Sequence, residues 1–336
     1  MENKNTLSVK EIAAMAGTSV ATVSRVINQN GGFSKETEMR VRKIIEEYNY
    51  RPNRLAQSLR MQRSQAIGIL VPDISNEFFS GIVKEIQNTL FKNGNLTLIC
   101  NTNEDPIQEQ QQVKMLLAQQ VDGIIYIGSD NGTSFINIPT IYIDRDPYAA
   151  AKDKNKKNYI FIESDNETGG YMAAQELLRK GIKRPAIVCF GKNFSTIQRR
   201  SKGFLQALKE AQVEFDSSLF LEMKNDNLEE GAKAAKILLQ ERSNVDGIFF
   251  TSDVLAIGGV RFLTNQGIKI PEQLSIIGFD GIEMGNVVTP KLTTIEQNLK
   301  QIGELAALRI LDMINQSDIK EKNFKVPVKL IQRGTT

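Results

Sequence analysis

The chain of 336 residues contains no histidine. That absence removes Ser-His-Asp and Cys-His nucleophile systems, HExxH zinc sites and histidine general bases. Carboxylate and lysine chemistry stay open, but an enzyme becomes the poorer expectation. Cysteine is scarce as well. Cys100 and Cys189 are the only two, each inside an apolar run, so two buried, reduced thiols are expected rather than a disulfide or a metal pair. No run of eighteen apolar residues occurs, and no transmembrane helix is expected. The opening MENKNTLSVKEIAAM lacks the long apolar core of a signal peptide, which points to the cytoplasm. The glycine-rich signals for nucleotides are also missing. There is no GxxxxGK(S/T) and no GxGxxG after a strand; GSDNGTS, 128–134, reads only as a polar loop. Neither a cofactor nor a metal is expected.

What is present is an ordinary folded composition, 41% hydrophobic and 24% charged, in a chain long enough for two or three domains. The net charge of +3 is unevenly spread. Residues 1–63 hold eleven basic and six acidic side chains, and the remainder holds 31 and 33. A basic head on a near-neutral body suggests that the head meets a polyanion.

The first fifty residues are helical in pattern. Ser8 can cap SVKEIAAMAG with Glu11 three residues later, and Gly17 can end that helix. Ser19 caps a second helix, SVATVSRVIN, after a Gly17-Thr18 turn, which gives a helix-turn-helix outline. A third begins after Ser34, with Val41, Ile44 and Ile45 as its stripe. On the second helix Val23, Val26 and Ile27 share a core-facing side. The other side carries Val20, Ala21, Ser24, Arg25 and Asn28, odd for a plain solvent face. A recognition helix in the major groove accounts for it. Val20 and Ala21 allow close approach or touch a thymine methyl, and Arg25 can grip guanine O6 and N7. Thr18, Ser19, Thr22 and Ser24 supply short hydroxyls for phosphates. Residues 51–64 read as a hinge: Pro52 can open a short helix over about 53–60, two turns long, in a stretch that carries Arg51, Arg54, Arg60 and Arg63 and no acid.

From Gln65 onward strand-like and helical runs alternate. AIGILVP, NLTLIC, VDGIIYIG and TIYID, with helices near 77–93 and 106–120, make a first half. RPAIVCF, VDGIFF and LSIIGFD, with helices near 197–212 and 253–266, make a second, and VDGIIYI is echoed in VDGIFF. Such alternation implies parallel sheets covered by helices, with a ligand beyond the carboxyl ends of the strands. Asp144 and Arg145, Ser252 and Asp253, and Asp280 sit at such ends. Asp253 can equally cap the helix that follows it, and Arg145 can pair with an acid instead of a ligand. Phe78 and Phe79 can both be core, with Phe79 the better pocket residue.

TLSVKEIAAMAGTSVATVSRVIN, followed about twenty residues later by YRPNRLAQSLR, resembles the lactose/galactose repressor family of bacterial transcription regulators. IGILVPDISNEFF, VDGIIYI, IDRD, ESDNETGGYMAAQELL, RRSKGF, SDVLAIGG, IIGFDGIEMGN and PKLTTIEQ extend the resemblance through the chain in the family's order. It implies an all-α head (1–50), a hinge (51–64) and an α/β body (65–336) of two lobes, like the periplasmic sugar-binding proteins. The first lobe would span about 65–163 and 297–322, the second about 164–296 and 323–336. It implies a homodimer on a pseudo-palindromic operator. Positions matching Val20, Ala21 and Arg25 would read the major groove, and Leu59 would wedge into the minor groove with Asn53, Ala56 and Arg60 close by. Positions matching Phe79, Asp144, Arg200, Ser252, Asp280 and Gln297 would line an effector pocket. Two positions depart from the pattern. Ser252 stands where some members have asparagine, and Phe194 stands where the purine-responsive member has a ligand-binding arginine. A purine is therefore disfavoured, and a sugar is expected, a pentose such as ribose ahead of hexoses. No leucine heptad closes the chain, so a dimer rather than a tetramer is expected. An exported sugar-binding protein would need a signal peptide, and an enzyme would need motifs that are missing. A catabolite-type regulator driven by a phosphoprotein, or one answering to a sugar phosphate, remains as the alternative.

Overall fold

A computed structural model describes residues 7–50, 63–129, 137–146, 159–241 and 244–336. The chain divides into Met1–Ser64 and Gln65–Thr336. The smaller unit contains α1 (Val9–Met15), α2 (Val20–Ile27) and α3 (Lys35–Glu47). Each starts at a serine. The Ser8 hydroxyl accepts from Glu11 N while Glu11 Oε2 accepts from Ser8 N, closing a capping box that holds the Glu11 carboxyl below its usual range. Ser19 and Ser34 accept from Thr22 N and Thr37 N. Gly17, at φ +60°, makes the turn between α1 and α2. Helices this short are marginal alone. They are held by a shared core of Ile12, Ala13 and Ala16, Val23 and Val26, Val41 and Tyr50.

The larger unit contains two six-stranded sheets. The first takes β1 (Ala66–Val71), β2 (Leu96–Asn101), β3 (Gly123–Ile127), β4 (Thr140–Ile143), β5 (Tyr159–Ser164) and β11 (Asn323–Val326) in the order β11-β5-β4-β3-β1-β2, all parallel. The second takes β6 (Pro185–Phe190), β7 (Phe220–Met223), β8 (Gly247–Phe250), β9 (Ser275–Asp280), β10 (Thr293–Gln297) and β12 (Val328–Ile331) in the order β12-β10-β9-β8-β6-β7. Only its β10–β12 pair is antiparallel. Strands β1, β3, β4 and β5 are buried throughout, which explains their unbroken apolar runs: helices cover both faces of a parallel sheet. β2 lies at an edge and stays half-exposed. Among the described residues, no helix is long and apolar enough to cross a membrane.

The covering helices are α4 (Glu77–Lys92), α5 (Pro106–Ala118), α6 (Asn166–Arg179), α7 (Ser195–Glu210), α8 (Leu228–Glu241), α9 (Asp253–Asn265) and α10 (Leu299–Ile314). On α4 the buried stripe is Phe78, Phe79, Ile82, Val83, Ile86 and Leu90, the spacing of one helical face. The chain passes between sheets three times, after β5, after β10 and between β11 and β12. The last passage corrects the expected boundary at 322/323. Residues Asn323–Val326 pair with Phe161–Ser164 in the first sheet, and only the strand from Val328 onward joins the second. The thiol expectation also needs amending. Cys189 is buried in β6, its thiol pushed up to about 12 by burial, but Cys100 on the edge strand is only half-buried.

Candidate functional site

On α2, Val23 and Val26 are fully buried and Ile27 half-buried. Ala21, Arg25, Ser19 and Asn28 are exposed, and Thr18, Thr22 and Ser24 half-buried. Val20 is not a free surface valine. It is half-buried and packs on the core of the head, so its methyls reach outward only in part. The Ser19 and Thr22 hydroxyls lie 2.9 Å apart, and Asn28 Nδ2 donates to Ser24 Oγ at 3.4 Å. The acids Glu36 and Glu38 are engaged by Arg40 and Arg42 on their own helix. Arg25 instead reaches over Gly32, whose missing Cβ would stand 3.2 Å from its Nη1. Asn53, Ala56, Leu59 and Arg60 lie outside the described residues.

In the body, the carboxyl ends of both sheets face one cavity between the lobes. Asp144 follows β4 at φ +73°, and Asp280 ends β9 at φ +122°, backbone conformations that side chains other than glycine rarely adopt. Arg200 comes from α7. Its Nε donates to Asn166 Oδ1 at 2.8 Å and its Nη1 to the Thr251 carbonyl, while the guanidinium lies 3.7 Å over the Phe279 ring. So fixed, it stands 3.6 Å from Asp280 and 4.0 Å from Asp144. α6 and α7 approach each other closely at two glycines. A Cβ on Gly170 would fall 1.9 Å from the Arg200 carbonyl oxygen, and one on Gly203 the same distance from that of Glu167. Phe78 and Phe79, ring centroids 5.2 Å apart, line the cavity from α4.

Burial pushes the carboxyls of Asp144, Asp226 and Asp280 up, and Arg200 opposes the shift in all three. Asp144 Oδ1 is buried without a hydrogen-bond partner. These acceptors suit a ligand rich in hydroxyls.

The other expected residues take differing places. Phe79, Asp144, Arg145, Arg200, Ser252 and Asp280 all line the cavity. Gln297 stands behind them, its Nε2 donating to Asp280 Oδ1 at 2.7 Å and its Oε1 unpartnered. The Ser252 hydroxyl accepts from Leu255 N at the start of α9 and donates to Asp226, so its donor is spent. Asp253 is a strut beneath the site. It accepts from Gly281 N and Ile282 N at 2.7 and 3.0 Å and from Thr294 Oγ1 at 2.6 Å, and burial pushes its carboxyl up to about 7. Arg145 pairs bidentately with Glu104, at 2.9 and 3.0 Å, and lies 3.7 Å over the Phe194 ring. Asp226 went unread in the sequence. It lies in the polar KNDN stretch between β7 and α8, where no strand end announces it.

A three-helix head with an exposed arginine on its second helix, joined to a two-lobed body with a polar cavity between its lobes, defines a DNA-binding regulator with a small-molecule receptor. Residues 8–53 match the bacterial regulatory proteins of the lacI family, and residues 64–334 match the periplasmic binding proteins and sugar binding domain of the LacI family. The chain belongs to the LacI family of bacterial transcription regulators; it is not an enzyme. It is 33% identical to the ribose operon repressor of Halalkalibacterium halodurans over 337 residues, 98% of this chain and 97% of that one. To the HTH-type transcriptional repressor PurR of Haemophilus influenzae it is 32% identical over 318 residues, 93% and 92% of the two chains. A LacI family transcriptional regulator from Enterococcus faecium, solved with bound ribose, superposes with a TM-score of 0.71 at 32% identity, covering 81% of this chain and 98% of that one.

Proposed function

We propose that this protein represses transcription by binding a pseudo-palindromic operator as a homodimer, and that an unphosphorylated sugar, ribose foremost, releases it. One observation carries the choice of ligand class: Arg200 stands between Asp144 and Asp280 in a cavity with a third carboxylate, Asp226, at its edge. The Arg200 guanidinium faces the carboxylates of Asp144 and Asp280, and Arg145 is paired with Glu104, so the acids already balance the cations that a phosphate would need. Carboxylates accept hydroxyl hydrogens, and Phe79 gives an apolar ring face to cover. Identity alone does not choose between the ribose and purine relatives, which are equally similar. The site favours the first, because Phe194 offers a purine no hydrogen-bond donor.

Phe79, Asp144, Arg200 and Asp280 are the direct contacts in this reading. Gln297 steadies Asp280, Ser252 steadies Asp226, and Arg145 closes the rim. In the head Val20, Ala21 and Arg25 read bases, while Thr18, Ser19, Thr22, Ser24 and Asn28 engage the backbone of the duplex. Asn53, Ala56, Leu59 and Arg60 act in the minor groove. Leu96 and Ile99 on the edge strand β2 and Ile107 and Met115 on α5 are exposed, apolar surface that a second copy would cover. Action on chromosomal operators would place the protein in the cytoplasm, at the nucleoid. The test is release of a selected operator across ribose, other aldoses, their phosphates and purines. Ribose should release it, and Arg25→Ala should weaken specific binding by about 1–3 kcal/mol with relaxed choice at one base pair per half-site. Release by a purine or a sugar phosphate alone would overturn the assignment.

A further inference from the structure

The cleft has a second chamber. A cavity of about 310 Å³ shares Asn76, Phe79, Arg145, Phe190 and Asp226 with the inner one and opens past Glu104. Any substituent on a bound sugar that points outward passes this rim. Arg145 is the rim's cation, and a guanidinium facing a cavity is the side chain best shaped to take a phosphate.

Here it is held otherwise. Asn103 and Glu104 both adopt left-handed backbone, φ +56° and +58°, which brings the Glu104 carboxylate onto Arg145 through two hydrogen bonds. The Arg145 side chain is 7% exposed and that of Glu104 38%. Phe194, from the other lobe, covers one guanidinium face. Asp73 and Asp226 add further negative charge to the same chamber.

We propose that Glu104 is the residue that sets the charge class of the effector. It neutralises Arg145 at the mouth of the site, so that the protein answers to a free sugar and rejects the phosphorylated form of the same sugar. The proposal rests on the sugar reading above and adds to it a named determinant outside the inner cavity. Replacing Glu104 by glutamine keeps shape and one acceptor but removes one negative charge from the chamber, which lowers the repulsion that a phosphate meets there.

The experiment is calorimetric titration of the full chain with D-ribose, D-ribose 5-phosphate, D-glucose and D-glucose 6-phosphate, for the wild type, Glu104→Gln, Glu104→Ala and Glu104→Asp. The wild type should bind a free sugar and strongly disfavour its phosphate. Glu104→Gln and Glu104→Ala should narrow that preference by roughly tenfold or more, and Glu104→Asp should restore much of it. Should Glu104→Gln fail to fold, Glu104→Ala decides the matter. Undiminished preference for the free sugar in the neutral variants would overturn the role of Glu104 while leaving the sugar reading intact. A wild type that binds none of the four, or binds the phosphate as well as the sugar, would overturn both.

Discussion

Asp280 sits at φ +122°, buried between Arg200 and Gln297, and each of those conditions costs stability. Burial, reinforced by Asp253 and Asp226, pushes its carboxyl well above the usual range, with Arg200 opposing. A carboxyl whose folded pKa exceeds its unfolded one stabilises the fold at acid pH, and that contribution is lost as pH rises through the folded value. Asparagine at 280 takes no part in this loss. Asp280→Asn should therefore match the wild type near pH 4 and gain on it progressively as the pH rises toward the folded pKa, by about 1.4 kcal/mol for each pH unit of separation between the two pKa values. It should also bind the sugar more weakly. Denaturant melts at several pH values check the first part, and a constant stability difference across the range would show that Asp280 is not strained by charge. The residue scale is also where the sequence is least legible. Asp144, Arg200 and Asp280 could be picked out from strand ends and the family resemblance. Asp226 could not, because neither β7 nor α8 announced itself in a segment as polar as KNDNLEEG. The Arg145–Glu104 pair joins residues 41 positions apart, and nothing local in IDRD names its partner.

Elements were read best where two signals coincided. The head helices carry both a serine cap and an apolar stripe, and α1, α2 and α3 start where their caps foretell. In the body α4, α5, α7 and α9 fall within a few residues of expectation, because each follows a strand-like apolar run and three of them begin at a capping side chain, Asn76, Asp105 or Ser252. The elements not foreseen are β5, β7, β10 to β12, α6, α8 and α10. Of these α6 is the instructive case. NETGGYMAAQELLR includes two adjacent glycines, which argue against a helix interior on propensity. The structure explains them through packing: Gly170 faces the α7 backbone, and Gly203 answers from α7 against α6. Close approach of these two helices fixes the height of Arg200 in the cavity. Gly203→Ala forces a methyl to within 1.9 Å of the Glu167 carbonyl oxygen, so the helices must separate. A loss of about 1–3 kcal/mol in stability is expected. Sugar affinity should fall as well, since Arg200 lies one turn away on the same helix. Thermal melts combined with sugar titration test this, and a variant that melts and binds like the wild type would mean the interface tolerates separation.

Across the whole body, the two sheets are tied by three chain passages, and several contacts cross the cleft directly. Met284 N donates to Glu77 Oε2 at 3.1 Å, Asp146 N donates to Ser195 Oγ at 3.1 Å, and Arg145 lies on Phe194. A ligand held by Asp144 on one side and by Arg200 and Asp280 on the other adds to this set, so its binding energy depends on the angle between lobes. Only such a difference between conformations lets a ligand act at a distance. If sugar binding lowers operator affinity, the coupling free energy is a property of the complex and not of either site. A coupling of about 1–3 kcal/mol, typical of such switches, corresponds to a roughly 5- to 150-fold change in operator affinity. By linkage the operator must then weaken sugar binding by the same factor. The sugar dissociation constant should therefore be higher when measured on the operator-bound protein than on the free protein, in the same ratio as the operator constants with and without saturating sugar. Titrations of sugar into both forms supply the two ratios. Equal sugar affinity in the presence and absence of operator would mean that the occupied cleft does not communicate with the head, whatever ligand fills it.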